Sequence, residues 1–316
     1  MTIQKENSMI LSLCPNPSID SFAGLQNFNA GGVNRISFLE EYPGGKGVHV
    51  ALAIAELGAA SNLMCLWAGT TGEWIKKECI LKNVEVKGLS IPGNNRKCYT
   101  FLSENPELDH TELLEPGPEI GQEEFNRFIS LFESEVSVYE VICMSGSWPT
   151  GAPENAYAEL IKIAKKHDKK VMLDCTGIQL ENALKEGFFG IHLNHHEAKT
   201  LCGATDIISL RKFLGDKVEL IALTKGKDGL ELAYREQIIS AKISLSRDQI
   251  ISTVGSGDCL TAGIAYGLDK KLDLSEIAVW GVASGSANCL NKDLGMIKMK
   301  DVEMMLKQVQ IATYAK

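Results

Sequence analysis

The chain has 316 residues, of which 45% are hydrophobic, enough apolar mass to bury a large core in one domain, or in one domain with an appendage. A formal net charge of −8 argues against nucleic acid or an anionic membrane as partner, because both reward a basic surface. An anionic substrate therefore has to be captured by a local basic pocket.

The nine cysteines stand singly, without Cys-x-x-Cys or regular spacing, as expected of free thiols in a reducing compartment rather than of a disulfide framework. Met1–Met9 is short and polar and carries Lys5 and Glu6, unlike a signal peptide. No apolar run approaches the ~18–20 residues that cross a bilayer. These features predict a soluble cytoplasmic protein.

In chain order, Met9–Leu13 reads as a short apolar strand. Cys14-Pro15-Asn16-Pro17-Ser18-Ile19-Asp20 follows as a Pro-rich bend in which Asp20 suits an Asx turn. Val33–Tyr42 alternates around Ile36, Phe38 and Tyr42 and predicts a strand. Pro43-Gly44-Gly45-Lys46-Gly47 opens a helix whose Val50, Ile54 and Leu57 share one face, with Gly58 as its stop. Leu63–Leu66 is a further strand, and Arg96–Ser103 pairs with Thr111–Glu115 through the Asn105-Pro106-Glu107 turn. The pattern leaves open whether these antiparallel segments form an edge hairpin or a separate small sheet.

Val141–Ser145, Val171–Asp174, Gly190–Leu193 and Glu219–Thr224 read as strands, with Pro153–His167 and Glu197–Cys202 as helices between some of them. Such alternation predicts a parallel sheet covered by helices. Ligands of these sheets sit beyond the carboxyl ends of the strands. Here those ends carry Ser145-Gly146-Ser147, Asp174, Asn194 and Thr224-Lys225-Gly226, a polar row that suits a site.

Ser252-Thr253-Val254-Gly255-Ser256-Gly257-Asp258 precedes a helix in which Leu260, Ile264 and Leu268 recur at a spacing of four. A Gly-Ser-Gly turn at a helix start points several N–H groups at one spot, where the helix dipole also favours an anion such as phosphate. Asp258 then reads in two ways. It is a first-turn helix cap, or a base beside an anion hole that takes a proton from a hydroxyl attacking a phosphoryl group. No Gly-x-x-x-x-Gly-Lys-[Ser/Thr] occurs, so an ordinary P-loop is excluded as the phosphate cradle.

Together, Gly-Gly-Lys-Gly-x-x-Val-Ala from Gly44 and Thr-Val-Gly-Ser-Gly-Asp from Thr253 resemble the two signatures of the ribokinase-like sugar kinases, in particular the phosphofructokinase B family. The resemblance covers nearly the whole chain after the first eight residues. It implies a three-layer α/β/α fold with a mostly parallel central sheet and a small antiparallel β-sheet lid. The kinase domain would span 9–316, with a discontinuous lid from about 14–43 and 92–118 that closes over the sugar.

In this resemblance Asp258 matches the catalytic base, and Gly255, Ser256 and Gly257 match the turn that holds the transferring phosphoryl group. Asn194-His195-His196-Glu197 matches the Asn-x-x-Glu element that tunes Mg²⁺ and phosphate binding, with Glu197 acting on the metal through a water. Thr224, Gly226 and Gly229 fall on the nucleotide side. Asp20 matches the aspartate that receives sugar hydroxyls, and Gly44, Gly45 and Lys46 match the segment that approaches the sugar closely. Arg35 and Arg96 are candidates for a phosphate already on the substrate, since Arg forms two-pronged hydrogen bonds to phosphate. Ser145-Gly146-Ser147-Trp148-Pro149 looks like a turn of the sugar-phosphate kinases. Asn95-Arg96-Lys97-Cys98 and Leu113-Leu114-Glu115-Pro116-Gly117-Pro118 are similar to the tagatose-6-phosphate kinase branch.

Two departures stand out. His49 replaces the asparagine that usually contacts the sugar, and His192-Leu193 replaces a usual Lys-Pro before Asn194. His192, His195 and His196 lack a Cys or further His at a zinc-ligand spacing. The resemblance implies an ATP- and Mg²⁺-dependent kinase for tagatose 6-phosphate or fructose 1-phosphate, with a homodimer through the lid. A kinase for an unphosphorylated sugar or nucleoside, and a non-catalytic sugar-phosphate sensor, are the alternatives.

Overall fold

Side chains of the central strands divide between the two faces of the large sheet, and that division explains the architecture. The computed structural model describes residues 9–293 and 295–313. Residues 1–8, on which the leader reading rests, and 314–316, the end of the expected domain, lie outside the described residues.

The first third of the chain comprises β1 (Met9–Cys14), β2 (Ser18–Gly24), β3 (Leu39–Gly44), α1 (Lys46–Glu56), β4 (Ala60–Ala68), α2 (Gly69–Leu81), β5 (Glu85–Ile91), β6 (Arg96–Leu102) and β7 (Thr111–Leu114). The middle adds α3 (Gln122–Glu135), β8 (Tyr139–Ser145), α4 (Ala156–Lys166), β9 (Lys170–Asp174), α5 (Gly177–Glu186), β10 (Phe188–Asn194), α6 (His195–Cys202), α7 (Ile207–Leu214) and β11 (Val218–Thr224). The last part holds β12 (Leu230–Tyr234), β13 (Gln237–Lys242), α8 (Ser256–Asp269), α9 (Leu274–Asn288), α10 (Met299–Leu306) and β14 (Gln310–Thr313).

A 10-stranded sheet runs in the order β14-β13-β12-β11-β10-β9-β8-β1-β4-β5. From β11 to β5 every pair is parallel, and β12, β13 and β14 extend it antiparallel. Strand side chains alternate between faces. Ile142 and Met144 of β8 join Phe128 of α3, Leu160 of α4 and Leu210 of α7 in one core. Val141 and Cys143 face the other core, with Ile54 of α1, Ile264 of α8 and Val282 of α9. Helices therefore cover both faces, which is why the strands read as continuous apolar runs.

The second sheet has 4 strands in the order β3-β2-β6-β7. Its outer pairs are antiparallel and its middle pair, β2 with β6, is parallel. The expected pairing of Arg96–Ser103 with Thr111–Glu115 is present as β6 and β7, and the two belong to this separate sheet rather than to an edge of the large one.

Four expectations need correction. The strand expected over Val33–Tyr42 is displaced to Leu39–Gly44. Beyond Gly24, which exchanges backbone hydrogen bonds with Ser37 and Phe38, β2 offers nothing for residues 33–36 to pair with, and Val33 stays 83% exposed. The bend expected up to Asp20 also ends sooner, because Ser18 already begins β2 and Asp20 faces Tyr42 and Cys98 across the small sheet. The helix expected over Pro153–His167 starts at Ala156, and the one expected from Glu197 starts at His195 behind an Asn194 cap.

Candidate active site

Two helix starts meet at the carboxyl ends of the parallel strands. The first is α1, entered through Gly45 at φ 97°. A Cβ on Gly44 would overlap the Asp20 carboxylate, and one on Gly45 would lie 3.0 Å from Cys14 Sγ. The two glycines thus let this turn run against β1 and β2 where any side chain would be in the way. The second start is α8, whose N-cap Gly255 is left-handed at φ 82°. Its first ladder bond runs from Cys259 N–H to Gly255 C=O, so the amides of Gly257 and Asp258 precede the helical ladder. Asn288 holds the turn from beneath by donating to Val254 C=O at 2.8 Å and to Ser256 Oγ at 3.2 Å.

His49 lies between the two starts and is 3% exposed. Its Nδ1 is 2.8 Å from Asp258 Oδ2. Its Nε2 is 3.3 Å from Asp20 Oδ2, within ion-pair range but without the alignment of a hydrogen bond. Burial alone would push this imidazole down, but the two carboxylates overcome it and raise it to about 10. Burial likewise opposes the charge on Asp20, and His49, the Ser18 hydroxyl and the Gly45 N–H outweigh it, so the carboxyl is held below its ordinary value.

A second chain of contacts crosses the strand ends. Lys46 Nζ is 2.5 Å from Asp174 Oδ1 and 3.9 Å from Glu197 Oε1. Asp174 Oδ2 is 2.8 Å from His192 Nδ1, and His192 Nε2 is 3.2 Å from Thr224 Oγ1. Asp174 is buried, which disfavours its charge, yet Lys46 and His192 hold it well below the carboxylate range. The Lys46 ammonium stays above its ordinary value because Asp174, with Asp258 and Glu197 further off, outweighs its desolvation. At α6, Asn194 Oδ1 accepts from the N–H groups of His196 and Glu197, and Glu197 Oε2 accepts from Asn194 N–H. These reciprocal bonds cap α6, and Glu197 Oε1 is left facing Lys46.

Residues 16–298 match the pattern of the pfkB family carbohydrate kinases. The chain belongs to that family. A 1-phosphofructokinase of Bacillus subtilis (strain 168) is 30% identical over 310 residues, which cover 96% of this chain and 99% of that protein. Among solved structures, a possible 1-phosphofructokinase from Thermotoga maritima shares the fold with a TM-score of 0.85 at 21% identity, over 97% of this chain and all (100%) of that one. Phosphofructokinase-2 from Escherichia coli, in complex with substrates and products, reaches 0.84 at 25% identity over 95% and 98% of the two chains. The resemblance carried by the two glycine signatures is borne out.

Within this pfkB carbohydrate kinase, Asp20, Gly44, Gly45, Lys46, His49 and Asp258 come together as one cluster. Ser145 is fully buried beside Asp174 in the β8–β9 register, and its hydroxyl has no hydrogen-bond partner in the fold. Thr224 joins through His192, while Gly226 and Gly229 shape the turn after β11, closed by Lys225 N–H to Gly229 C=O at 2.9 Å. Arg96 sits at the start of β6 and donates from Nε to Asn16 C=O at 3.3 Å. Arg35 is not brought to the cluster: it lies exposed on the irregular segment before β3. Asp174, His192 and Asn288 are the parts missing from the expected site. The first two were visible only as members of the polar row and as a departure from Lys-Pro, and nothing in the sequence pairs Asn288 with the turn at Val254.

Proposed function

We propose that the chain is an ATP- and Mg²⁺-dependent kinase that places a second phosphoryl group on a ketohexose monophosphate, fructose 1-phosphate before tagatose 6-phosphate. The observation that carries this reading is the Asp258 carboxylate, set in the first turn of α8 beside the amides that precede its ladder. A carboxylate where the helix start favours an anion serves a proton acceptor better than a binder. The Bacillus subtilis relative supports the preference for fructose 1-phosphate.

Asp20 receives sugar hydroxyls, aided by the close approach of Gly44 and Gly45, and Arg96 takes the phosphate already present. Asp258 accepts the proton of the attacking hydroxyl, while the Gly255–Gly257 turn and the Lys46 charge stabilise the transferring phosphoryl group. The donor set fits Mg²⁺, since Glu197 keeps one carboxylate oxygen outside the cap and hard oxygen ligands suit this ion. When bound, Mg²⁺ neutralises phosphate charge; Glu197 would hold it there through a water, and Asn194, capping α6, would keep Glu197 in place. Thr224, Gly226 and Gly229 border the nucleotide. The small sheet acts as the lid over the sugar. Its exposed Leu39, Leu113 and Leu114 favour pairing with a second copy.

The test is ADP release measured with fructose 1-phosphate, tagatose 6-phosphate, fructose and ribose. Turnover of a phosphorylated ketohexose well above the unphosphorylated sugars is expected. Preference for an unphosphorylated sugar, or no turnover at all, overturns the reading.

A further inference from the structure

The kinase reading gives Asp20 and Asp258 separate tasks, and the structure puts one ring between them. We propose that His49 is a positioning residue that, as an imidazolium, ties the sugar-binding Asp20 to the proton-accepting Asp258. The proposal rests on the kinase reading and adds to it a charged residue that sets both carboxylates at once.

The ring has no freedom to leave. A Cβ on Gly295 would overlap it, and a Cβ on Gly255 would in turn meet Gly295. Ring, loop and anion turn are therefore stacked without a gap. The charged groups facing the ring are Asp20 from β2 and Asp258 from α8, and the loop presents Gly295. Lys46, one turn earlier on α1, is engaged by Asp174 of β9.

Asp20 and Asp258 flank the same ring, and two like charges on either side of it repel unless a cation stands between them. His49 is that cation. Its raised value of about 10 follows from the same two neighbours after burial has been overcome. The geometry also argues against His49 as the base. To take a proton from a hydroxyl, Nε2 would need a lone pair, yet Nε2 faces a carboxylate that favours a proton there.

The proton account is then simple. Asp258 Oδ2 is held by His49, which leaves Oδ1 for the acceptor hydroxyl. The hydroxyl O–H bond breaks as Oδ1–H forms. The freed oxygen bonds to the γ-phosphorus of ATP, and the bond from that phosphorus to the bridging oxygen breaks to release ADP. His49 keeps its proton throughout.

Two measurements test this. Nitrogen-15 NMR of the ring in the wild-type protein, without substrates, should show an imidazolium at about pH 8, where an ordinary histidine is neutral, and a titration midpoint near 10. In parallel, kcat and KM for the sugar phosphate are followed from about pH 6 to 10.5 in wild type and His49→Asn. Wild-type kcat/KM should fall along an alkaline limb as the ring loses its charge. The Asn variant should be about tenfold or more lower at neutral pH, the scale of losing a charge-assisted contact, and should lack that limb. A ring that is neutral at about pH 8, a rate that rises as the ring deprotonates, or a limb that persists in His49→Asn overturns the proposal. The ring signal needs neither turnover nor a folded variant. A charged ring in a protein that phosphorylates no sugar phosphate overturns the kinase reading, and with it the catalytic part of this proposal. A neutral ring in an active kinase overturns the proposal alone.

Discussion

Lys46 and Asp174 stand 128 positions apart in the chain and 2.5 Å apart in the fold. Their contact ties the first turn of α1 to the carboxyl end of β9, and through His192 it reaches Thr224 at the end of β11. Lys46 is partly exposed whereas Asp174 is buried, so removing the carboxylate strands a cation that water can still reach. That asymmetry moderates the cost.

Asp174→Asn should therefore lower stability by about 1.5–3 kcal/mol, the range for a lost hydrogen bond to a charged group, read from the urea midpoint. The pH dependence has a definite sign. The folded-state carboxyl of Asp174 lies below its unfolded value, so its contribution is complete above the ordinary carboxylate range and is lost as pH falls through and below it. The gap between wild type and variant should accordingly narrow between neutral pH and about pH 3. A gap that stays constant over that interval would show that the loss is packing and not charge.

Asp258→Asn keeps the shape of the first turn of α8 but cannot accept the hydroxyl proton. Removal of a general base lowers kcat by roughly 10²–10⁴-fold, while KM for ATP and for the sugar should change little. Because Asn can still accept a hydrogen bond from His49 Nδ1, the fold around α1 should survive, which a thermal melt checks. More than half of wild-type turnover in the variant would falsify the base assignment.

The two arginines separate cleanly in the structure. Arg96 lies at the end of the small sheet nearest Ser18 and is anchored to Asn16. Arg96→Ala should raise KM for the sugar phosphate by about 10–150-fold, the equivalent of one charge-assisted contact, without changing KM for ATP. Arg35 is exposed and off the strands, so Arg35→Ala should shift KM by no more than about twofold, as for an ordinary surface change. Equal weakening toward phosphorylated and unphosphorylated sugars in Arg96→Ala would mean that the residue supports the small sheet instead.

Much of the layout was legible because its signals are local. Glycines before α1 and α8, the Asn194–Glu197 cap and the apolar parallel strands each need only neighbouring residues to be read. The strand β2 was hidden because its partners are distant: it pairs in parallel with β6, Ser18 opposite Arg96, and the prolines just before it suggest a bend. The segment 33–36 failed in the opposite way, since alternation around Ile36 looks like a strand but finds no partner beyond Gly24. The ion pairs follow the same logic. Each acidic residue of the site was visible in its own strand or turn, but the assignment of His49 to Asp258 across 209 positions, or of Lys46 to Asp174, is a product of topology and has no periodic trace.

The small sheet is the part whose motion the kinase reading requires. Excluding water from the phosphoryl group favours the sugar hydroxyl as acceptor, and β3 is joined to α1 through Gly44 and Gly45, where the backbone tolerates unusual angles. Sugar phosphate should therefore slow amide exchange in Leu39–Gly44 and Arg96–Leu102, and unchanged exchange in both strands would rule out closure. Gly44→Ala should raise the sugar KM, because the added Cβ would occupy the position of the Asp20 carboxylate. The same sheet exposes Leu39, Leu113 and Leu114, an apolar surface that a second copy would bury. A sedimentation mass twice that of the chain is expected at micromolar concentration, and replacing Leu113 and Leu114 with Lys should return it to the monomer value. A wild-type monomer at that concentration would leave the lid to close without a partner and would sink the dimer.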